Sequence, residues 1–266
     1  QQPHRIYLAE LVCRATGDTT FLRQFHPLVE STAAFMYSFA NYDKKRRRYI
    51  LRGNIPAEES LKASVTLNSP FELSQWHTTM SMAQQWNERL GLPRVKSWDR
   101  LIDRLSVLAF NSDSLYLAAE SATDTYTDVK ATSDHPALLG ALGFFPDSRL
   151  INRSVMEKTL NWIAGNWNWP TSWGWDFPMT AMTATRLLQP EKAVDALLMD
   201  VQKNTYLPNG HNYQDKRLRL YLPGNGGLLS AVALMCAGWD GCTRRNPGFP
   251  DDGNWDVRWE GLQPLP

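Results

Sequence analysis

Residues 69–93 read Ser69-Pro70-Phe71-Glu72-Leu73-Ser74-Gln75-Trp76-His77-Thr78-Thr79-Met80-Ser81-Met82-Ala83-Gln84-Gln85-Trp86-Asn87-Glu88-Arg89-Leu90-Gly91-Leu92-Pro93. Ser69, with Pro70 directly after it and Glu72 three residues on, has the pattern of a capping box with proline at the first helical position. Leu73, Trp76, Met80, Ala83 and Leu90 then recur at helical spacing, and Gly91 and Pro93 end the run. A helix this long with one apolar stripe needs partner helices to bury it.

Such partners lie on both sides. Phe21, Phe25, Leu28, Val29, Met36 and Phe39 follow a 3.6-residue period between Asp18 and Tyr42. Ser97 opens a shorter helix with Trp98, Leu101, Leu105 and Leu108, and Ser154 with Glu157 suggests a second capping box ahead of Leu160 and Ile163. Met179–Leu188 and Pro190–Val201 read as two helices with a break at Gln189-Pro190, and a last helix is expected from Gly227 to Gly238. Strand signal is slight: only 217–222 and 255–259 alternate, as short hairpin edges. The expected fold is all-α: antiparallel helical hairpins in one (α/α) toroid-like domain over residues 1–266. Long connections at 42–69, 111–135, 167–177 and 202–227 exceed what packing requires, and such loops tend to carry function.

Composition narrows the partner. The chain has 266 residues, 43% of them hydrophobic, and a formal net charge of +1, so no global field draws it to nucleic acid. The basic run Lys44–Arg48 reads as a solvated loop. No apolar run approaches a membrane span. The three cysteines, Cys13, Cys236 and Cys242, form no disulfide framework, no Cys/His set has metal-ligand spacing, and no cofactor motif is present. The chain opens Gln1-Gln2-Pro3 and reads as processed, trimmed or incomplete, with a secreted or periplasmic address expected. Eleven tryptophans, including Trp162, Trp167, Trp169, Trp173 and Trp175, supply flat apolar faces with one polar edge. Sugars, with C–H faces and hydroxyl rims, suit such surfaces, and so does a tryptophan-rich core.

Four segments carry candidate chemistry. Glu58-Glu59 places two carboxyls side by side; burial of both would raise one pKa, which suits a general acid, while solvent would leave them as an ordinary polar turn. Asp134-His135 precedes a short apolar helix, where Asp134 serves either as a cap or as a hydroxyl ligand. Trp173-Gly174-Trp175-Asp176 ends at a helix start, where a carboxylate is favoured electrostatically and also stands beside aromatic rings. His211, Asn212 and Gln214, with Asn225 in the Gly224-Asn225-Gly226-Gly227 turn, complete the set.

These segments, together with Tyr7-Leu8-Ala9-Glu10-Leu11, resemble the catalytic domains of six-hairpin glycosidases near glycoside hydrolase families 65 and 95. The resemblance implies a toroid of about twelve helices, so the first hairpins, and a β-sandwich ahead of them, are expected outside this chain as the missing N-terminal part of the same protein. It further implies an inverting glycoside hydrolase acting on a non-reducing-end sugar, with Glu59 as general acid and Asp176 as base. Asp134, His135, Trp173, Trp175, His211, Asn212, Gln214 and Asn225 would then bind the carbohydrate substrate. Trp173-Gly174-Trp175-Asp176 stands where a family-65 phosphorylase has a Ser-Ser pair, and Pro223 where a family-95 fucosidase has Asp. A disaccharide phosphorylase of the same fold and a non-catalytic carbohydrate-binding toroid are the alternatives.

Overall fold

The structure is a computed structural model that describes residues 2–54 and 57–266. Among these residues the chain forms nine α-helices and two small antiparallel hairpins, a mostly helical fold. In chain order the elements are α1 (Gln2–Thr16), α2 (Thr19–Phe39), β1 (Asn41–Asp43), β2 (Arg48–Ile50), α3 (Pro70–Arg89), α4 (Lys96–Arg104) and the single turn α5 (Gly140–Gly143). They are followed by α6 (Arg153–Asn166), α7 (Asp176–Arg186), α8 (Pro190–Leu198), β3 (Thr205–Tyr206), β4 (Asn212–Tyr213) and α9 (Leu222–Ala237).

The helices pack along the chain. The first three pack on one another, α3 meets α5, α5 meets α7, and α7 meets both α8 and α9. The glutamate of α1 helps to fix the first contact: Glu10 accepts from Arg14 Nε at 3.0 Å, Trp86 Nε1 at 2.6 Å and Arg89 Nη1 at 2.8 Å. That buried carboxylate is therefore fully partnered by charge-assisted bonds, which is what makes its burial tolerable.

Helices α3 and α7 are buried on nearly every side, although neither is uniformly apolar. Their hydroxyls explain this. Thr79, Thr180, Thr183 and Thr185 each donate to the carbonyl four residues back, so these four hydroxyls are satisfied within the helix. Gly143 lets α5 approach α7: a Cβ there would lie 2.7 Å from Thr183 Oγ1 and 3.0 Å from the Met179 carbonyl.

Several sequence expectations shift. Ser69 and Pro70 do start α3, but the capping box does not form: the Ser69 hydroxyl makes no cap bond and Glu72 is buried. Asn152, not Ser154, caps α6 by accepting from the Ser154 and Val155 amides. Helix α9 begins five residues before Gly227, so the glycine turn is its first helical turn. Helix α1 had no predicted counterpart. The alternating runs at 217–222 and 255–259 form no strands; the hairpins are β1–β2, whose tight turn carries the exposed Lys44–Arg47, and β3–β4. Among the described residues no helix is long and apolar enough to cross a membrane. The three cysteines are free.

Gly143→Ala tests the close approach of α5 to α7. The methyl group must displace Thr183 or the helix backbone, so thermal or urea unfolding should show a loss of about 1–3 kcal/mol, with helical circular dichroism retained.

Candidate active site

All four long connections meet near the N-terminus of α7: 167–177 runs into it along the chain, and hydrogen bonds bring the others there. Trp167 Nε1 donates to the Asp134 carbonyl at 2.8 Å, and the Asn168 amide to the Thr132 carbonyl at 3.0 Å. These bonds strap residues 131–135 to the tryptophan-rich loop. Asp134 then accepts from its neighbour His135 N at 2.7 Å and, through its other oxygen, from Ser60 N at 2.6 Å. The second bond draws the Glu58-Glu59 segment to the same place.

At the centre lies a buried pair. His135 Nδ1 is 3.0 Å from both carboxylate oxygens of Asp176, and Trp173 N donates to Asp176 Oδ2 at 2.8 Å. Asp176 is wholly inaccessible to solvent, and His135 is 5% exposed, so the carboxylate acts on a ligand only through the imidazole. Burial raises the Asp176 pKa, against the opposing hydrogen bond and charge of His135. Burial also acts to lower the His135 pKa, but the bond and charge of Asp176, with the charges of Asp134 and Glu59, outweigh it and the net shift is upward. With Nδ1 directed at Asp176, Nε2 makes no hydrogen bond among the described residues.

Aromatic rings frame the imidazole. Trp175 lies 4.8 Å from His135 and stacks on Phe144 at 5.9 Å. Trp173 is 6.2 Å from His135 and 5.5 Å from Tyr221, and Lys203 Nζ rests 4.5 Å from its ring centre. Both tryptophans are half-buried, each leaving part of a ring open.

The two glutamates separate. Glu59 is exposed, and its charge reaches His135 and Tyr221. Glu58 is buried, and neither of its oxygens has a hydrogen-bond partner among the described residues. Desolvation, helped by the charges of Asp134, Glu72 and Asp176, pushes its pKa up to about 8. It lines a cavity of about 100 Å³ with His135, Trp167, Thr125, Asp124 and Asp128. Ile55 and Pro56, shortly before this pair, lie outside the described residues.

The amides of the last long loop stand elsewhere than at a ligand surface. Asn212 and Gln214 are fully buried. Gln214 accepts from Gly174 N at 2.9 Å and donates to the Lys203 carbonyl and to Asn212 Oδ1. Asn212 donates to the carbonyls of Lys203 and Thr205, while Asn225 accepts from Asn212 N and donates to the Gly210 carbonyl. These side chains clamp the loop against Gly174, where a Cβ would come within 1.9 Å of Asn212 Oδ1. His211 pairs with Asn209 in the β3–β4 turn and has no hydrogen bond or ring contact to His135 or Asp176 among the described residues. Lys203 and Tyr221 join the site without having been picked out from the sequence; their signal was membership of an overlong loop. Among the described residues no three His, Cys, Asp or Glu side chains group as metal ligands. Compared with known proteins, the chain matches no family model and no curated protein.

The Glu58 carboxyl makes stability pH-dependent. Its folded pKa of about 8 exceeds the ordinary carboxyl value of about 4.5, so between these two pH values the folded state binds more protons than the unfolded state and stability falls as pH rises. Urea unfolding at pH 5 and pH 8 should show wild type losing on the order of a few kcal/mol more than Glu58→Gln over that interval. Equal losses would mean that Glu58 ionises as freely when folded as when unfolded.

Proposed function

We propose that this chain is the helical catalytic portion of an inverting glycoside hydrolase, built as an (α/α) toroid. The observation that carries the proposal is the convergence, from separate long loops, of the buried Asp176–His135 pair, the partly open Trp173 ring and the carboxylate of Glu59. Residues distant in sequence that meet around one aromatic face fit a ligand site better than they fit packing. Sequential packing of helices, with α3 and α7 inside and α2 and α8 presenting exposed faces, supports the toroid.

A terminal sugar stacks its C–H face on Trp173, displacing the Lys203 ammonium. Glu59 is the acid because its carboxyl is the accessible member of the pair and can touch the leaving oxygen. It gives its proton to the glycosidic oxygen as the C–O bond breaks, and the rest of the substrate leaves as an alcohol. Water attacks the anomeric carbon from the opposite face, which inverts it, while His135 Nε2 takes the water's proton. Asp176 is a positioning residue: its carboxylate holds the Nδ1–H tautomer and stabilises the imidazolium. Solvent then takes the proton from His135 and returns one to Glu59.

A disaccharide phosphorylase is the second reading. It is favoured by Lys203, a cation over Trp173 with no ion pair among the described residues, which suits a phosphate nucleophile. Glu58, with its raised pKa, is the competing acid.

A panel of aryl glycosides and natural disaccharides, assayed with and without phosphate, tests these assignments. Glu59→Gln should lose about two to four orders of magnitude on a natural glycoside and far less on an activated aryl glycoside, whose leaving group departs unprotonated. Asp176→Asn should slow both substrates and shift the pH profile. If Glu58→Gln shows the leaving-group asymmetry instead, the acid is Glu58; a sugar phosphate among the products makes the enzyme a phosphorylase.

A further inference from the structure

We propose that residues 244–257 form a second saccharide-binding cleft, separate in its residues from the site around His135, and that it takes an acidic sugar chain. The stretch of residues 238–266 contains no helix or strand. It is nonetheless anchored. Asp240 N donates to the Leu265 carbonyl at 2.8 Å and Leu265 N to the Gly238 carbonyl at 3.1 Å, which closes residues 240–264 into a loop with a fixed base. Gly248 presses onto α9, its amide donating to the Met235 carbonyl at 3.1 Å, and a Cβ there would lie 2.2 Å from Met235 Cγ.

One buttress sets the cleft's width. Asn246, at a positive φ of 48°, accepts from Trp259 Nε1 at 2.9 Å and donates from Nδ2 to the Val257 carbonyl at 3.5 Å. It thereby joins the 246–249 turn on one side to the 255–259 strip on the other. The space between has a volume of about 510 Å³, within the ~300–1,000 Å³ of small-molecule sites. Phe249 and Trp255 form one wall, their rings 5.3 Å apart, and Trp255 is 43% exposed. An exposed tryptophan held against a second ring offers a flat C–H acceptor to a sugar.

Charge selects among sugars. Arg244 and Arg245 line the cleft and are exposed, and neither makes an ion pair or a side-chain hydrogen bond among the described residues. Asp256, on the same rim, is held by Arg258 at 2.7 Å. That leaves two open guanidinium forks against the single carboxylate of Asp251, which can accept hydroxyl protons. Guanidinium forks match carboxylate and sulfate oxygens, so a uronic or sulfated sugar suits the cleft better than a neutral one.

Native electrophoresis through gels containing polygalacturonate, alginate or chondroitin sulfate tests this, with neutral galactan and β-glucan as controls. Wild type should be retarded by at least one acidic polymer and by neither neutral one, with retardation weakening in high salt. Trp255→Ala, and separately the pair Arg244→Gln and Arg245→Gln, should each weaken binding about tenfold or more with unchanged circular dichroism. Trp173→Ala, which removes the stacking face of the proposed active site, should bind as wild type, which separates this cleft from that site. The proposal is overturned by no retardation on any acidic polymer, by retardation that survives both sets of substitutions, or by equal retardation on the neutral polymers. Equal retardation by polyglutamate would make the ligand an acidic peptide and overturn it as well.

Discussion

A carboxylate closed off from solvent has to be surrounded by donors or lose its charge, and Asp176 imposes that requirement at the N-terminus of α7. Its donors are the His135 imidazole and the Trp173 amide, contributed by two different connections. Each must be held in place in turn. His135 is fixed because Asp134 is tied to Trp167 and Ser60; Trp173 is fixed because the following glycine is tied to Gln214. The placement of the candidate site therefore follows from satisfying one buried charge, and the bonds that satisfy it also give His135 its orientation.

The polar residues around this centre divide by function according to where their hydrogen bonds go. Asn212, Gln214 and Asn225 direct theirs at backbone carbonyls and amides, as buried amides must if they are not to be orphaned. They make the loop stiff, and of the three only Asn225 is partly exposed. Lys203, whose carbonyl two of those amides clamp, has a free ammonium, and it rests on Trp173. A rigid backbone carrying a cation with no ion pair among the described residues over an aromatic face is an arrangement that can exchange one occupant of that face for another.

Glu58 and Glu59 show how far adjacent residues can diverge. A turn sends one carboxyl into a small cavity and the other to solvent. Burial without a partner favours the protonated form of the first, while exposure leaves the second free to meet a substrate.

The helical class, the positions of most helices and the four overlong connections were legible in the sequence, because apolar periodicity and Pro/Gly punctuation are local and repeat over many residues. Asp18 at the start of α2, Pro70 in α3 and Pro190 in α8 act through their own backbone geometry, whatever packs around them. Helix α1 was not legible: its apolar spacing is weak, and only the Glu10–Trp86–Arg89 contacts reveal its burial. The pairing of His135 with Asp176, the sealing of Asp176, the inward turn of Glu58 and the use of Asn212 and Gln214 as clamps were decided by tertiary structure alone. Each depends on which backbone groups a distant loop brings within about 3 Å, and spacing along the chain carries no record of that distance.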